Sequence, residues 1–153
     1  MDDASKTKWT ETDYPSMSWH DNHVHGMRLV EGAHGTGKLE FDLDYILEWT
    51  KNDSGTICFK IAPASLKFRE VSNLKVSLDY GAISAAMGPF SIDGIERRTE
   101  ERERYTATLW SIKVNFPVGE IRFEASGFTQ VLRRGAVTSE NQVLSSSERT
   151  ADA

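Results

Sequence analysis

The chain of 153 residues carries a single cysteine, Cys58, so it can close no intrachain disulfide and build no cysteine-rich zinc site. No window approaches the ~18 consecutive apolar residues that a membrane-spanning helix requires. Positive charge is not in excess. There are 18 Lys and Arg against 23 Asp and Glu, a formal net charge of -5, and the basic residues are scattered among acidic ones. No electropositive stripe exists to track a phosphate backbone, so nucleic acid is a poor partner. The amino-terminal "MDDASKTKWTETDY" starts acidic and has no apolar stretch, unlike a secretory signal. A soluble, cytoplasmic, non-membrane protein of one domain is expected from these absences.

Helical periodicity is scarce too, and period-two alternation takes its place. In "KLEFDLDY" the apolar Leu39, Phe41, Leu43 and Tyr45 interleave with Lys38, Glu40, Asp42 and Asp44, the pattern of a strand with one buried face. The same pattern gives short strands at Ile57, Phe59, Ile61, then at Leu66, Phe68, then at Leu74, Val76, Leu78, Tyr80. "TATLWSIKVNF" alternates through Trp110, Ile112, Val114 and Phe116, turns at Pro117 and Gly119, and continues in "EIRFEASG". The charged "IERRTEERER" lacks an apolar stripe and reads as a strand from about Phe90, bulged at Gly94, ending in a hairpin tip near Glu100 to Glu103. "GAISAAMGPF" reads as a connection between sheet edges or a short helical turn. The predicted fold is mainly β, an antiparallel sandwich or partly open barrel of about seven to eight strands with little helix. Residues 1–13 and the serine-rich 135–153 are expected to be loose tails around a single β domain of residues 14–134.

Two motifs could carry chemistry. From Gly32 to Lys38 the chain spells G-x-x-x-x-G-K, one residue short of a phosphate-binding P-loop. A P-loop needs a helix after the glycines and a Ser or Thr after the lysine, whereas here Leu39 opens the clearest strand pattern. Gly32, Gly37 and Lys38 therefore read as a hairpin loop, in which Gly32, Gly35 and Gly37 permit positive φ. This hairpin should pair residues 38–45 with residues near 24–31.

The second motif is "WHDNHVHG", which holds His20, Asp21, His23 and His25; His34 lies in the loop. H-x-H on a strand puts two imidazoles on one face, and with Glu31 they echo the first motif of cupin barrels, yet no later histidine completes such a site. Hairpin parity places Met27 and Leu29 with Leu39, Phe41 and Leu43, so His23 and His25 should share that side, away from Asp42 and Asp44. His25 is then a hydrogen-bonded histidine at the end of the core, near Tyr45. Arg28, on the other side, should form a cross-strand ion pair with Asp42 or a diagonal neighbour. No cofactor is implied, and Cys58 lies between two core residues rather than in an activating loop.

"SWHDNHVHG", a glycine-rich turn, "LEFDLDYILEW", "IAPASLKF" and "FEASGFTQVLRR" together resemble an uncharacterised family of small bacterial proteins, over residues 14–134. Trp19, His20 and Asp21 followed by a hairpin are also distantly similar to immunity proteins of bacterial toxin systems. Neither resemblance brings catalytic residues. The implied function is non-enzymatic binding of another protein, as an immunity-type or accessory factor, with sheet edges offering a route to homo-oligomers. The alternative is a metal-dependent or small-molecule-binding barrel that uses His20, Asp21, His23 and His25.

Overall fold

In the computed structural model of the protein, residues 6–81 and 86–150 are described. Residues 82–85 of the "GAISAAMGPF" stretch lie outside them, as do 1–5 and 151–153 of the expected tails. The described residues form nine strands: β1 (Lys8–Thr10), β2 (His23–Glu31), β3 (Gly37–Lys51), β4 (Ile57–Leu78), β5 (Phe90–Glu101), β6 (Thr106–Phe116), β7 (Val118–Glu124), β8 (Gly127–Leu132) and β9 (Val137–Ser139). A 3-10 turn spans Glu11–Ser16, and one short helix, α1, spans Ser146–Thr150. All the pairings are antiparallel. Among the described residues, no helix is long and apolar enough to cross a membrane.

The sheet partly closes a ring in the order β4, β3, β2, β5, β6, β7 and back to β4. β4 makes this closure by running past two neighbours: residues 64–69 pair with β8 and residues 72–78 with β7. Glu70, between the two pairings, and Asn73, where the register with β7 shifts between Ser72 and Lys75, adopt positive φ, and the strand bends there. Inside the ring, Phe68 packs edge-on against Trp110, Phe123 and Phe128 with centroids 5.1, 4.7 and 5.5 Å away. Side chains fill the interior, as in other small barrels.

The alternation predicted for β3 holds, with Leu39, Phe41 and Leu43 buried opposite Leu29, Met27 and Val24. The three separate apolar runs are one strand from Ile57 to Leu78, with Tyr80 in the turn beyond its end. "IAPAS" resembles a break, but Pro63 sits where one edge of β4 passes from β9 to β8, so its missing N–H interrupts no ladder there. The apolar phase also changes along β4. Ala64, Leu66 and Phe68 belong to the core inside the ring, whereas Phe59 and Ile61 belong to a second cluster with Ile46 and Leu144.

That second cluster corrects the expected boundaries. β9 pairs with Phe59, Lys60 and Ile61, and Leu144 is only 3% exposed, so the segment after residue 134 covers the outer face of β3 and β4. At the other end, Trp9 on β1 lies opposite Gln130 and is buried, and Tyr14 Oη donates to the Ile95 carbonyl at 2.5 Å. Polar composition conceals both dockings because one large apolar side chain in each segment anchors it.

Candidate functional site

β2 opens with His23 opposite Asp44, followed by Val24 opposite Leu43. The next residue of β3, Asp42, lies opposite Gly26, so His25 is an extra residue in a β-bulge. One extra residue reverses parity. Met27 and Leu29 do lie opposite Phe41 and Leu39, but His25 turns to the other side, with Nε2 2.7 Å from Asp44 Oδ2. The expectation that the sheet separates His23 and His25 from Asp42 and Asp44 is therefore wrong, and His25 is not beside Tyr45 in the core.

Asp44 is fully buried and accepts from three donors: the His25 imidazole, the Leu144 backbone N–H at 2.9 Å and the Arg149 guanidinium. Arg149 also reaches Asp42, which a second guanidinium, Arg133, contacts from the end of β8. Burial holds the His25 pKa below the ordinary 6.5, and the nearby Arg149 charge adds to the effect. A neutral imidazole donating through Nε2 satisfies Asp44 at neutral pH. Burial likewise lowers His23, against the opposing effect of the Asp21 and Gln142 backbones beside it. Gln142 crosses from the C-terminal segment to donate to Asp21 Oδ2 at 3.1 Å. The cluster is a clasp of charges that fixes residues 142–149 over β2 and β3. Asp44 is fully engaged within it and is not free to act as a base.

The candidate metal residues are divided. His20 lies 3.4 Å from Asp21 and 3.1 Å from the Asp93 carbonyl oxygen, while His25 faces Asp44. Among the described residues no three His, Cys, Asp or Glu side chains are placed to hold a metal ion. Trp19 and Asp21 have structural roles: Trp19 Nε1 donates to the buried Gln130 at 2.8 Å, and Asp21 takes a positive φ of 64° where the chain enters β2. Gln142, Leu144 and Arg149 lie about a hundred residues beyond the histidines in a segment read as a tail, and Arg133 lies at the end of the expected domain with nothing in the local sequence to point it at Asp42.

The P-loop look-alike is a hairpin loop. β3 begins at Gly37, so a strand stands where the phosphate-binding helix would start. Thr36 N–H closes the turn on the Ala33 carbonyl at 3.1 Å. Positive φ falls on His34 and Gly35, whereas Gly32 and Gly37 are needed because a Cβ would run into the Thr36 and Val30 carbonyl oxygens, respectively.

The same hairpin leaves an open edge. β5 starts at Phe90, opposite Val24, and runs away from the rest of β2, so the two strands pair only at residues 23–24 and 90–91. Among the described residues, nothing pairs with residues 26–31 on the edge opposite β3. Met27 and Leu29 share the face of Leu39 and Phe41 yet remain 37% and 66% exposed. Free strand edges are usually blunted by Lys, Pro or inward charges. This one, "GMRLVE", has none of these on its inward positions 27 and 29. The opposite case is β5, whose edge beyond Ile95 carries Glu96, Arg97, Arg98, Glu100 and Glu101, with Arg97 donating to the Glu11 carbonyl oxygen at 3.2 Å. No protein-family model matches the chain, and no curated protein or solved structure matches it either.

Proposed function

We propose that this protein acts by binding another protein, as an immunity-type or accessory factor, and that the free edge of β2 carries the contact. The observation behind this reading is that residues 26–31 combine exposed apolar side chains with an edge that, among the described residues, no strand pairs. In a strand every second residue turns its N–H and C=O to each edge, so an added strand gains a ladder of hydrogen bonds. Covering the part of each side chain that is still exposed adds about 1–2 kcal/mol at Leu29 and about 0.5–1 kcal/mol at Met27. The similarity of Trp19, His20 and Asp21 with their hairpin to immunity proteins supports the same class of function.

A photo-crosslinking amino acid at position 29, expressed in the native cell, tests the reading. A discrete protein adduct is expected from position 29 and none from position 103, in the exposed turn after β5. Adducts from position 103 alone would move the contact elsewhere, and none from either position would remove the protein-binding reading.

A further inference from the structure

Resting on that reading of the β2 edge, we propose that its occupant is an extended, antiparallel segment with an apolar, acidic, apolar triplet opposite Leu29, Arg28 and Met27. The other edge of β2 already displays this solution. There β3 sets Leu39 opposite Leu29, Glu40 opposite Arg28 and Phe41 opposite Met27. Residues directly opposite each other share a face of the sheet, so a strand added on the free edge meets the same three side chains in the same order. Its first and third residues cover the exposed Met27 and Leu29, continuing the inner face. Its middle residue meets Arg28 on the outer face. Arg28 is far from saturated by its present partner: its side chain is 73% exposed, and Nε lies 3.5 Å from Glu40 Oε1.

The same geometry disfavours a second copy of this chain. Two-fold antiparallel pairing of residues 26–31 with themselves must be centred on a residue to keep the inward side chains on one face. Centred on Arg28, it sets the two guanidinium groups opposite each other, a repulsive pair. Centred on Leu29, it sets each Met27 against the Glu31 of the copy and leaves Arg28 opposite Val30. Centred on Met27, it pairs Gly26 with Arg28 and then meets the bulge at His25, so the ladder ends after one residue on either side of the centre. An acidic residue between two apolar ones removes every one of these conflicts.

The probe is a synthetic peptide with the sequence of residues 38–43, KLEFDL, extended by polar residues for solubility, and a second peptide in which its Glu is replaced by Lys. Binding to the full chain is followed by amide hydrogen exchange and by titration. The free protein should exchange the outward-facing amides of residues 26–31 quickly and remain monomeric by sedimentation. The Glu peptide should slow those amides and bind about fivefold more tightly than the Lys peptide, the scale of exchanging an attractive cross-strand charge pair for a repulsive one. Arg28→Glu should reverse the preference, and Leu29→Lys should abolish binding of both. Equal binding of the two peptides at residues 26–31 would overturn the triplet while leaving the edge as the contact. Protection confined to other residues, amides already slow in the free protein, or a dimer abolished by Leu29→Lys would each overturn the proposal. The crosslink from position 29 decides separately whether the edge is used at all.

Discussion

Replacing Leu144 with Ala should lower stability substantially, although the residue lies in a stretch as polar as "SENQVLSSSERT". Leu144 is 3% exposed, packs with Ile46, Phe59 and Ile61, and its N–H bonds to the buried Asp44. Leu to Ala in a core costs about 2–5 kcal/mol, and more where the surroundings cannot collapse. Here the cover is a single segment that can settle inward, which places the expected loss at the lower end, about 2–3 kcal/mol. The loss also has a ceiling. If residues 137–150 undock as a unit, no substitution in them can remove more than their own docking free energy. For a chain of this size 1 kcal/mol shifts the melting temperature by about 2–4 °C, so a drop of roughly 5–10 °C is expected. Urea titration followed by tryptophan fluorescence, together with thermal melts, would measure it. Val143, 36% exposed, serves as the internal comparison, and its replacement by Ala should cost less than about 1 kcal/mol. A melting point for Leu144→Ala within a degree of the parent, or an unchanged midpoint after a stop following Gly135, would refute the docking argument.

The histidines should give the protein an acid-sensitive window. His23 and His25 are held below 6.5 in the folded chain, so the unfolded chain binds protons first. Stability should therefore fall as pH drops through about 6.5, before carboxylates titrate, and the fall should be smaller in a His25→Gln variant when urea midpoints are compared at several pH values. Gly119→Ala should be destabilising by more than about 1 kcal/mol, since the added Cβ overlaps the Ser77 carbonyl oxygen where β7 pairs with β4, and a thermal melt reads it directly. Calorimetric titration with magnesium and ATP should show no binding, because β3 occupies the place of the P-loop helix, and saturable heat lost in Lys38→Ala would contradict that assignment.

Where the pattern of period two is unbroken, residue order alone fixes a strand and its buried face, because alternate side chains must point to opposite sides of a pleat. That physics made β3 legible from Leu39, Phe41, Leu43 and Tyr45, paired it with β2, located the charged hairpin of β5 and β6, and identified Gly32 to Lys38 as a turn. The same alternation carried a message that composition hid: β4 is apolar on one phase at Phe59 and Ile61 and on the other at Leu66 and Phe68, so both of its faces must be covered.

Tertiary structure alone decided the rest. A bulge adds one residue, and parity beyond it reverses, so His25 met Asp44 although counting from Met27 placed it on the opposite face. No local pattern reports such an insertion. Nor could residue spacing bring Arg149 and Leu144 to Asp44 across about a hundred positions, or show that β5 starts too late to cover residues 26–31. Alternation specifies which side of a strand is buried. What lies against that side, and which backbone edge stays unpaired, depends on how the whole ring closes.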